Sequence, residues 1–169
     1  MSKELLLIRH AKSDWDNIKL RDFDRTLNSR GKKNAPEMAN RLRNRNLIPS
    51  QIISSPALRA FTTAEYFADE LGIKKSDIIK EADIYEAFTS TLLEVINNLD
   101  DRSSFTALFG HNPGITSIAN NLCNGNIVNI PTCGMILIRF PFESWNAVSA
   151  GTGELIFFDY PKNVEDQQF

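Results

Sequence analysis

Two histidines, His10 and His111, are the residues of this chain best suited to chemistry, and both follow short apolar runs. Leu5–Ile8 leads through Arg9 into His10, and Phe105–Phe109 leads through a glycine into His111. A short continuous apolar run is typical of a strand buried on both faces of a parallel sheet. Ligands of open α/β sheets bind beyond the carboxyl ends of such strands, so both histidines lie where a site is expected. A structural histidine at a capped strand end would leave the same pattern.

Arg59 follows another predicted short strand, Gln51–Ser54, and falls in the first turn of the helix predicted next. Helices favour cations near their carboxyl end, so an arginine at the opposite end indicates a task that involves an anion. An ordinary surface arginine is the alternative. Because the carboxyl ends of parallel strands meet at one edge of a sheet, we expect this arginine to share a rim with Arg9 and both histidines.

Two arginines and two histidines on one rim favour phosphoryl chemistry over metal chemistry. Catalytic zinc takes three protein ligands, and the sequence has no third histidine. Guanidinium groups form bidentate hydrogen bonds with phosphoryl oxygens. His10 is then placed to attack phosphorus, and His111 to donate to the oxygens whose charge increases. The attacking nitrogen must be unprotonated, so we expect the other ring nitrogen of His10 to donate to a backbone carbonyl.

The apolar periodicity predicts strands and helices in alternation. Pro36 is tolerated only in a first helical turn, so the first helix either begins near Ala35 or kinks there. Ser55 is expected to cap the second helix, with Pro56 at its first position. The predicted elements are strand 5–8, a helix carrying 35–42, strand 51–54, helix 56–71, a short strand or extended connection at 78–85, a helix carrying 92–99, strand 105–109 and a helix carrying 115–122.

The alternation of strands and helices ends after Pro131. Two strands, Met135–Phe140 and Leu155–Phe158, are predicted there with no helix between them. Strands connected in this way pair antiparallel. We therefore predict an α/β protein, a three-layer α/β/α sandwich whose sheet is mostly parallel and has an antiparallel edge.

Length and composition are those of a globular domain, with 169 residues, 42% apolar and 24% charged, and a formal charge of -2. We expect one domain over residues 1–161 and a disordered tail at 162–169. The near-neutral charge gives no reason to expect nucleic acid or a membrane as a partner. Too few apolar residues precede Arg9 for a secretory signal, so we expect a cytoplasmic protein. The sequence does not specify its oligomeric state.

Four blocks of this chain together resemble the histidine phosphatase superfamily, whose fold is phosphoglycerate mutase-like. Within the superfamily the chain is similar to the SixA-type phosphohistidine phosphatase branch. The superfamily usually has Arg-His-Gly in the first block, where this chain has Ala11, as the SixA branch often does. The blocks are Arg9-His10-Ala11, Arg25-Thr26-Leu27-Asn28-Ser29-Arg30-Gly31, Ser54-Ser55-Pro56-Ala57-Leu58-Arg59-Ala60 and Gly110-His111-Asn112-Pro113-Gly114.

The resemblance implies a metal-independent hydrolase without a cofactor. His10 matches the residue that becomes phosphorylated, and Arg9, Arg59 and His111 match the groups that hold the phosphoryl oxygens. Arg25 matches a further arginine of the SixA pocket. The substrate implied is a protein phosphohistidine or, as an alternative, a small phosphomonoester. A phosphate-binding module without catalysis is the rival class, although a histidine at the nucleophile position disfavours it.

The proton donor is the open question, because the chain lacks the insertion that carries the acid in many superfamily members. Glu86 is the candidate proton donor, with Asp14 and Asp22 as rivals, and a surface role is an equal alternative for each. An alkoxide leaving group needs a proton, whereas imidazole, with a pKa near ~6.5, leaves far more easily. A pocket without a strong acid should therefore favour N–P over O–P bonds.

Overall fold

The structure is a computed structural model that describes residues 2–163. Within that range the chain forms six β-strands and four α-helices in alternation up to α4. The strands are β1 (Lys3–Arg9), β2 (Gln51–Ser54), β3 (Ile79–Lys80), β4 (Phe105–Gly110), β5 (Met135–Phe140) and β6 (Glu154–Asp159). The helices are α1 (Ser29–Asn44), α2 (Leu58–Leu71), α3 (Thr89–Asn97) and α4 (Gly114–Cys123).

The strands form one mixed sheet in the order β3-β2-β4-β1-β5-β6. The pairs among β1, β2, β3 and β4 are parallel, whereas β5 pairs antiparallel with both β1 and β6. The prediction of a mostly parallel sheet with an antiparallel edge is confirmed. Each βαβ unit places a helix against the sheet, as parallel connections require.

The central strand β1 explains the three layers, because its successive side chains point to opposite faces of the sheet. Leu5 and Leu7 pack in a core cluster with residues of α3 and α4. Leu6 and Ile8 pack in a second cluster with residues of α1 and α2. All four side chains are completely buried, which is why this strand has a continuous apolar run rather than an alternating pattern.

Strand register brings the ends of three strands together. Arg9 of β1 pairs with Gly110 of β4, and Ser54 of β2 pairs with the residue before it, Phe109. The next residues along β1, β2 and β4 are therefore His10, Ser55 and His111, at one edge of the sheet. This register places the residues that follow three separate strands at one edge of the sheet, as expected from parallel pairing.

Two local expectations about helix starts are wrong. Helix α1 runs from Ser29 to Asn44 with Pro36 inside it, so a start near Ala35 is wrong, because five buried residues and the side-chain cap from Asn28 offset the missing N–H group. A kink at Pro36, the other alternative, stays a prediction. Helix α2 starts at Leu58 and has no side-chain cap. The hydroxyl of Ser55, expected to cap that helix, accepts from the amide of Ala57, which precedes the first helical residue, and also bonds to His111.

The chain after β6 continues in a turn that contains Lys162 and Asn163, and the Asn163 amide donates to the carbonyl of Tyr160 at 2.9 Å. The rest of the tail predicted to be disordered, 164–169, lies outside the described residues. A single domain over 1–161 stays a prediction. No helix found between residues 2 and 163 is both long enough and apolar enough to cross a membrane.

Gly31 sits where α1 meets the loop that follows His10. A Cβ atom there would lie 2.2 Å from the carbonyl oxygen of Lys12, which is backbone and cannot rotate away. We expect Gly31→Ala to lower the free energy of unfolding by about 2–3 kcal/mol through overpacking, measured by denaturant titration.

Gly72 provides the matched control, because it has a φ of +71° and nothing within 4 Å of an added Cβ. Its replacement by alanine should cost only the left-handed backbone strain, about 1 kcal/mol. A loss at Gly31 no larger than the loss at Gly72 would contradict the close approach.

Candidate active site

His10 is fixed by its backbone at the carboxyl end of β1. Its amide donates to the carbonyl of Gly110 at 3.0 Å, and its own carbonyl accepts from Cys133 at 3.0 Å. The ring nitrogen Nδ1 lies 2.7 Å from the carbonyl oxygen of Ala11. A carbonyl oxygen only accepts, so Nδ1 must carry the proton and Nε2 is the unprotonated nitrogen. A backbone carbonyl in this position was expected from the sequence, because the attacking nitrogen must be free of a proton.

His111 lies beside His10, with ring centroids 5.2 Å apart, so both imidazoles can contact a single phosphoryl group. Burial lowers the pKa of His10 to about 4, against the hydrogen bond to Ala11 and with further lowering from nearby arginines. Burial, then the neighbouring His10 and Arg59, lower the pKa of His111 to about 3. Both rings are therefore neutral at pH 7, as a nucleophile and a hydrogen-bonding partner require.

The hydroxyl of Ser55 contacts His111 and bears on which of its two ring nitrogens carries the proton. The Ser55 hydroxyl oxygen lies 2.7 Å from Nε2 of His111 and also accepts from the amide of Ala57 at 3.2 Å. A hydroxyl that accepts from an amide retains its own proton to donate, so Nε2 of the neutral ring can accept it. In the tautomer in which Nε2 accepts that proton, Nδ1 of His111 carries the ring hydrogen.

Three arginines line the same cavity as the two histidines. Arg25 and Arg59 are only 7% and 5% exposed, and Arg9 donates through NH1 to the carbonyl of Ile130 at 3.0 Å. Arg25 donates to the hydroxyl of Ser13, and its guanidinium carbon lies 3.5 Å from the ring centre of Trp15. Burial lowers the pKa of Arg9, which reflects the cost of placing a cation here.

Asp22 holds two of these arginines in place. Its Oδ1 accepts from Nε and NH2 of Arg25 at 3.2 and 3.0 Å. Its Oδ2 accepts from NH2 of Arg59 at 3.0 Å and from the hydroxyl of Tyr85 at 2.6 Å. The backbone carbonyl of Asp22 also accepts from NH1 of Arg59 at 2.6 Å. One aspartate thus joins the loop after β1, the start of α2 and the segment before α3.

The protonation states of this aspartate and tyrosine follow from their contacts. Although burial acts to raise it, the hydrogen bonds from Tyr85, Arg25 and Arg59 hold the pKa of Asp22 well below its usual range. Burial and the bond to Asp22 raise the pKa of Tyr85 to about 12. Asp22 is therefore a permanent carboxylate, and Tyr85 a permanent donor to it, at neutral pH.

The three carboxylates considered as proton donors differ in position. Asp22 is wrong for that role, because a carboxylate that accepts four side-chain hydrogen bonds has no proton to give. Asp14 does not line the cavity, and it accepts from the amide of Asp16 at 2.8 Å. Glu86 lines the cavity, is exposed, and has a φ of 55°, in the left-handed region that non-glycine residues rarely adopt.

Buried polar atoms without a partner are concentrated at this site. Among the described residues, four buried side-chain nitrogen or oxygen atoms have no hydrogen-bond partner, and three of them belong to residues that line the cavity. Such atoms are costly and rare in folded proteins, so a cluster of them indicates a ligand. The three are Nε of Arg9, Nε of Arg59 and Nδ1 of His111. All three are nitrogens, the complement of an anion with several oxygens.

The structure thus brings together all the site residues named from the sequence except Asp14. The sequence did not identify the contacts that Ser55, Asp22 and Tyr85 make in the site. A signal existed for Ser55, which follows the strand adjacent to that of His111. No three His, Cys, Asp or Glu side chains within 2–163 are grouped so that they could hold a metal ion.

Comparisons with known proteins agree with this geometry. The profile of the histidine phosphatase superfamily (branch 1) matches residues 5–114. A structure of the SixA phosphohistidine phosphatase of Agrobacterium tumefaciens, a provisional name, is 27% identical with a TM-score of 0.78 and covers 94% of this chain and 98% of that one. A tungstate complex of the protein histidine phosphatase SixA is 20% identical with a TM-score of 0.78, covering 96% and 99%.

The fold is therefore that of the phosphoglycerate mutase-like α/β proteins, and it is SixA-like. The chain belongs to the histidine phosphatase superfamily, branch 1. A chloroplastic protein of Arabidopsis thaliana, itself named as uncharacterized, is 29% identical over 161 residues, which span 90% of this chain and 73% of that protein.

The neutral histidines can be observed directly, because the protein has only two of them. We expect NMR titration of the imidazole signals to show no protonation between pH 8 and 6, with His10 titrating near a pKa of about 4. The ring ¹⁵N shifts of His10 should be those of the tautomer protonated at Nδ1. A histidine that titrates near its ordinary value of ~6.5 would contradict the burial argument.

The contacts of Asp22 with Arg25, Arg59 and Tyr85 form a brace that can be tested with Asp22→Asn, which removes the charge that pairs with the two arginines. We expect kcat/KM for a phosphorylated substrate to fall on the order of tenfold to a hundredfold, because both guanidinium groups lose their orientation. Phosphate release is the measurement, and circular dichroism checks that the variant is folded.

Asp24→Asn is the control for this experiment. Asp24 lies in the same short 3₁₀ turn as Asp22, but within residues 2–163 its only ion pair is with the exposed Arg21, at 2.9 Å. Its replacement should leave kcat/KM within about twofold, since exposed ion pairs contribute little. Equal losses of kcat/KM in the two variants would mean that activity depends on the 3₁₀ turn and not on the contacts of Asp22 with the arginines.

Proposed function

We propose that this protein is a phosphatase that transfers a phosphoryl group from its substrate to Nε2 of His10 and then to water. It requires neither a metal ion nor a cofactor. A phosphohistidine on a protein is the substrate that the site fits best. The proposal assigns Arg9, Arg59 and His111 to the phosphoryl oxygens, with Arg25 at the edge of the same pocket.

One observation carries the proposal: His10, with an unprotonated Nε2, lines a cavity together with Arg9, Arg59 and His111, each of which has a buried nitrogen without a partner among the described residues. A transferring phosphoryl group has three equatorial oxygens, and it is stabilised mainly by donors positioned in advance. The nucleophile and the three donors match those requirements in number and in kind.

The reaction has two steps. In the first, the bond between phosphorus and the carrier atom breaks while a bond from Nε2 of His10 to phosphorus forms, and the leaving group keeps the electron pair. In the second, water attacks phosphorus, the bond to Nε2 breaks, and inorganic phosphate leaves with the proton balance restored by solvent. His111 donates its Nδ1 proton to an oxygen in both steps without transferring it.

The lack of a strong acid supports phosphohistidine over an alkyl phosphate. When the remote nitrogen of a phosphohistidine carries a proton, the ring leaves as neutral imidazole, whose conjugate acid has a pKa near ~6.5. An alkoxide is comparable to hydroxide, whose conjugate acid, water, has a pKa of ~15.7, and needs a proton from the enzyme. Asp22 is ionised and committed to two arginines, so it offers none. Glu86 is the remaining candidate for small phosphomonoesters.

The names of the structural relatives support the same substrate class, because two are called phosphohistidine or protein histidine phosphatases. A cytoplasmic location stays a prediction, and the Arabidopsis relative is named as chloroplastic. Nucleic acid and membranes are not proposed as partners.

The phosphoryl-enzyme can be trapped by mixing the protein with ³²P-labelled phosphohistidine peptide and quenching in alkali, in which phosphohistidine survives. We expect label on the wild type that acid removes, and none on His10→Gln. Turnover should be unchanged by a chelator.

His111→Gln is the matched variant, since it removes an oxygen-binding group but keeps the nucleophile. It should still become labelled, with kcat lowered on the order of a hundredfold or more. Label that persists in His10→Gln would refute the assigned nucleophile. Phosphate binding without any turnover of phosphohistidine or phosphomonoesters would favour the non-catalytic module.

A further inference from the structure

The cavity around His10 is larger than a phosphoryl group needs. Its volume is about 540 Å³, within the range of pockets that enclose a whole small ligand. The proposed phosphoryl-binding groups account for one part of its lining. The remainder includes Trp15, Glu86 and Phe88, which therefore face whatever carries the phosphoryl group.

Trp15 is an exposed aromatic residue with a fixed position. It lies in the loop after β1, where the bridge between Ser13 and Leu27 closes the loop. The guanidinium of Arg25 stacks 3.5 Å from the centre of its ring, yet the residue remains 65% exposed. Trp15 thus presents aromatic surface to the cavity while Arg25 holds it.

Phe88 lies on a different segment, directly before α3, and is 81% exposed. Its neighbour Ala87 packs closely against Gly114, where an added Cβ would lie 2.9 Å from the Ala87 carbonyl oxygen. The Phe88 carbonyl accepts from the amide of Leu92 at 3.0 Å. The backbone at Phe88 is therefore anchored, although its ring remains largely exposed to solvent after folding.

Two exposed aromatic rings at one cavity indicate a ligand surface, because exposed apolar side chains contribute little to stability. Aromatic faces attract flat rings, and attract them more when the ring carries positive charge. The carboxylate of Glu86, which lines the same cavity, is complementary to that charge.

We propose that Trp15 and Phe88 form a subsite for the planar ring that carries the phosphoryl group, so that the protein discriminates phosphohistidine from carriers without a ring. This inference rests on the proposed function, since it requires the phosphoryl group to occupy the arginine and histidine part of the cavity. A protonated phosphoimidazole is flat and cationic on its ring, which are the two properties that this lining recognises. A serine or sugar carrier has neither.

The test compares two substrates with the same N–P bond, a phosphohistidine peptide and phosphoramidate, which has no ring. Phe88→Ala should raise KM for the peptide about three- to tenfold and leave kinetics on phosphoramidate within about twofold. Trp15→Phe should retain most of the peptide activity, whereas Trp15→Ala should lose it and also weaken phosphoramidate turnover, because Arg25 loses its stacking partner.

Ile18→Ala is the control, since Ile18 is 93% exposed on the same loop as Trp15 but does not line the cavity. This variant should leave the kinetics on both substrates unchanged. Equal losses on both substrates in Phe88→Ala, or no change on either, would overturn the subsite while the phosphatase activity of the wild type stands. Wild-type protein that turns over neither substrate and forms no phosphoryl-enzyme would instead overturn the proposed function, and the subsite with it.

Discussion

The rest of this site depends on the cost of burying positive charge. Arg25 and Arg59 are almost fully buried, and both pair with the single carboxylate of Asp22. Arg9 donates through NH1 to a backbone carbonyl, but its Nε has no partner, and Arg9 has no acidic partner among the ion pairs of residues 2–163. Buried cations are tolerated only when they are hydrogen-bonded or paired. The positive charge that lines the cavity therefore favours binding of an anion, such as a phosphoryl group.

The same constraint sets the state of the histidines. Burial disfavours a protonated imidazole, and the neighbouring guanidinium groups disfavour it further, so both rings stay neutral. Neutrality gives His10 a free lone pair, and the Ala11 carbonyl decides which nitrogen carries it. It also lets His111 act as a donor that need not lose a proton, provided that Ser55 fixes its tautomer. In the proposed reaction, positive charge supplies affinity for the phosphoryl group, and burial together with that charge leaves a nitrogen of His10 free to attack it.

Much of this arrangement could be predicted from the sequence, because the relevant signals were local. The apolar run before Arg9 predicted a strand buried on both faces, and parallel pairing predicted that the strand ends would meet. Pro36 was misjudged because tertiary burial of α1 offsets a lost hydrogen bond, and burial is not a local property. The brace was missed for a similar reason: Asp22 and Tyr85 are 63 residues apart, and their contact depends on the whole fold. Sequence could show Asp22 as a carboxylate near the site, but not that four donors hold it ionised.

The central claim is that Nε2 of His10 and three buried nitrogens together hold one phosphoryl group. A crystal structure of the wild type with orthovanadate, which copies the geometry of the transferring group, tests it most directly. The account predicts vanadium bonded to Nε2 of His10, with its oxygens about 3 Å from a guanidinium nitrogen of Arg9, a guanidinium nitrogen of Arg59 and Nδ1 of His111. Vanadium bonded elsewhere, or oxygens that leave those three nitrogens without a partner, would contradict it.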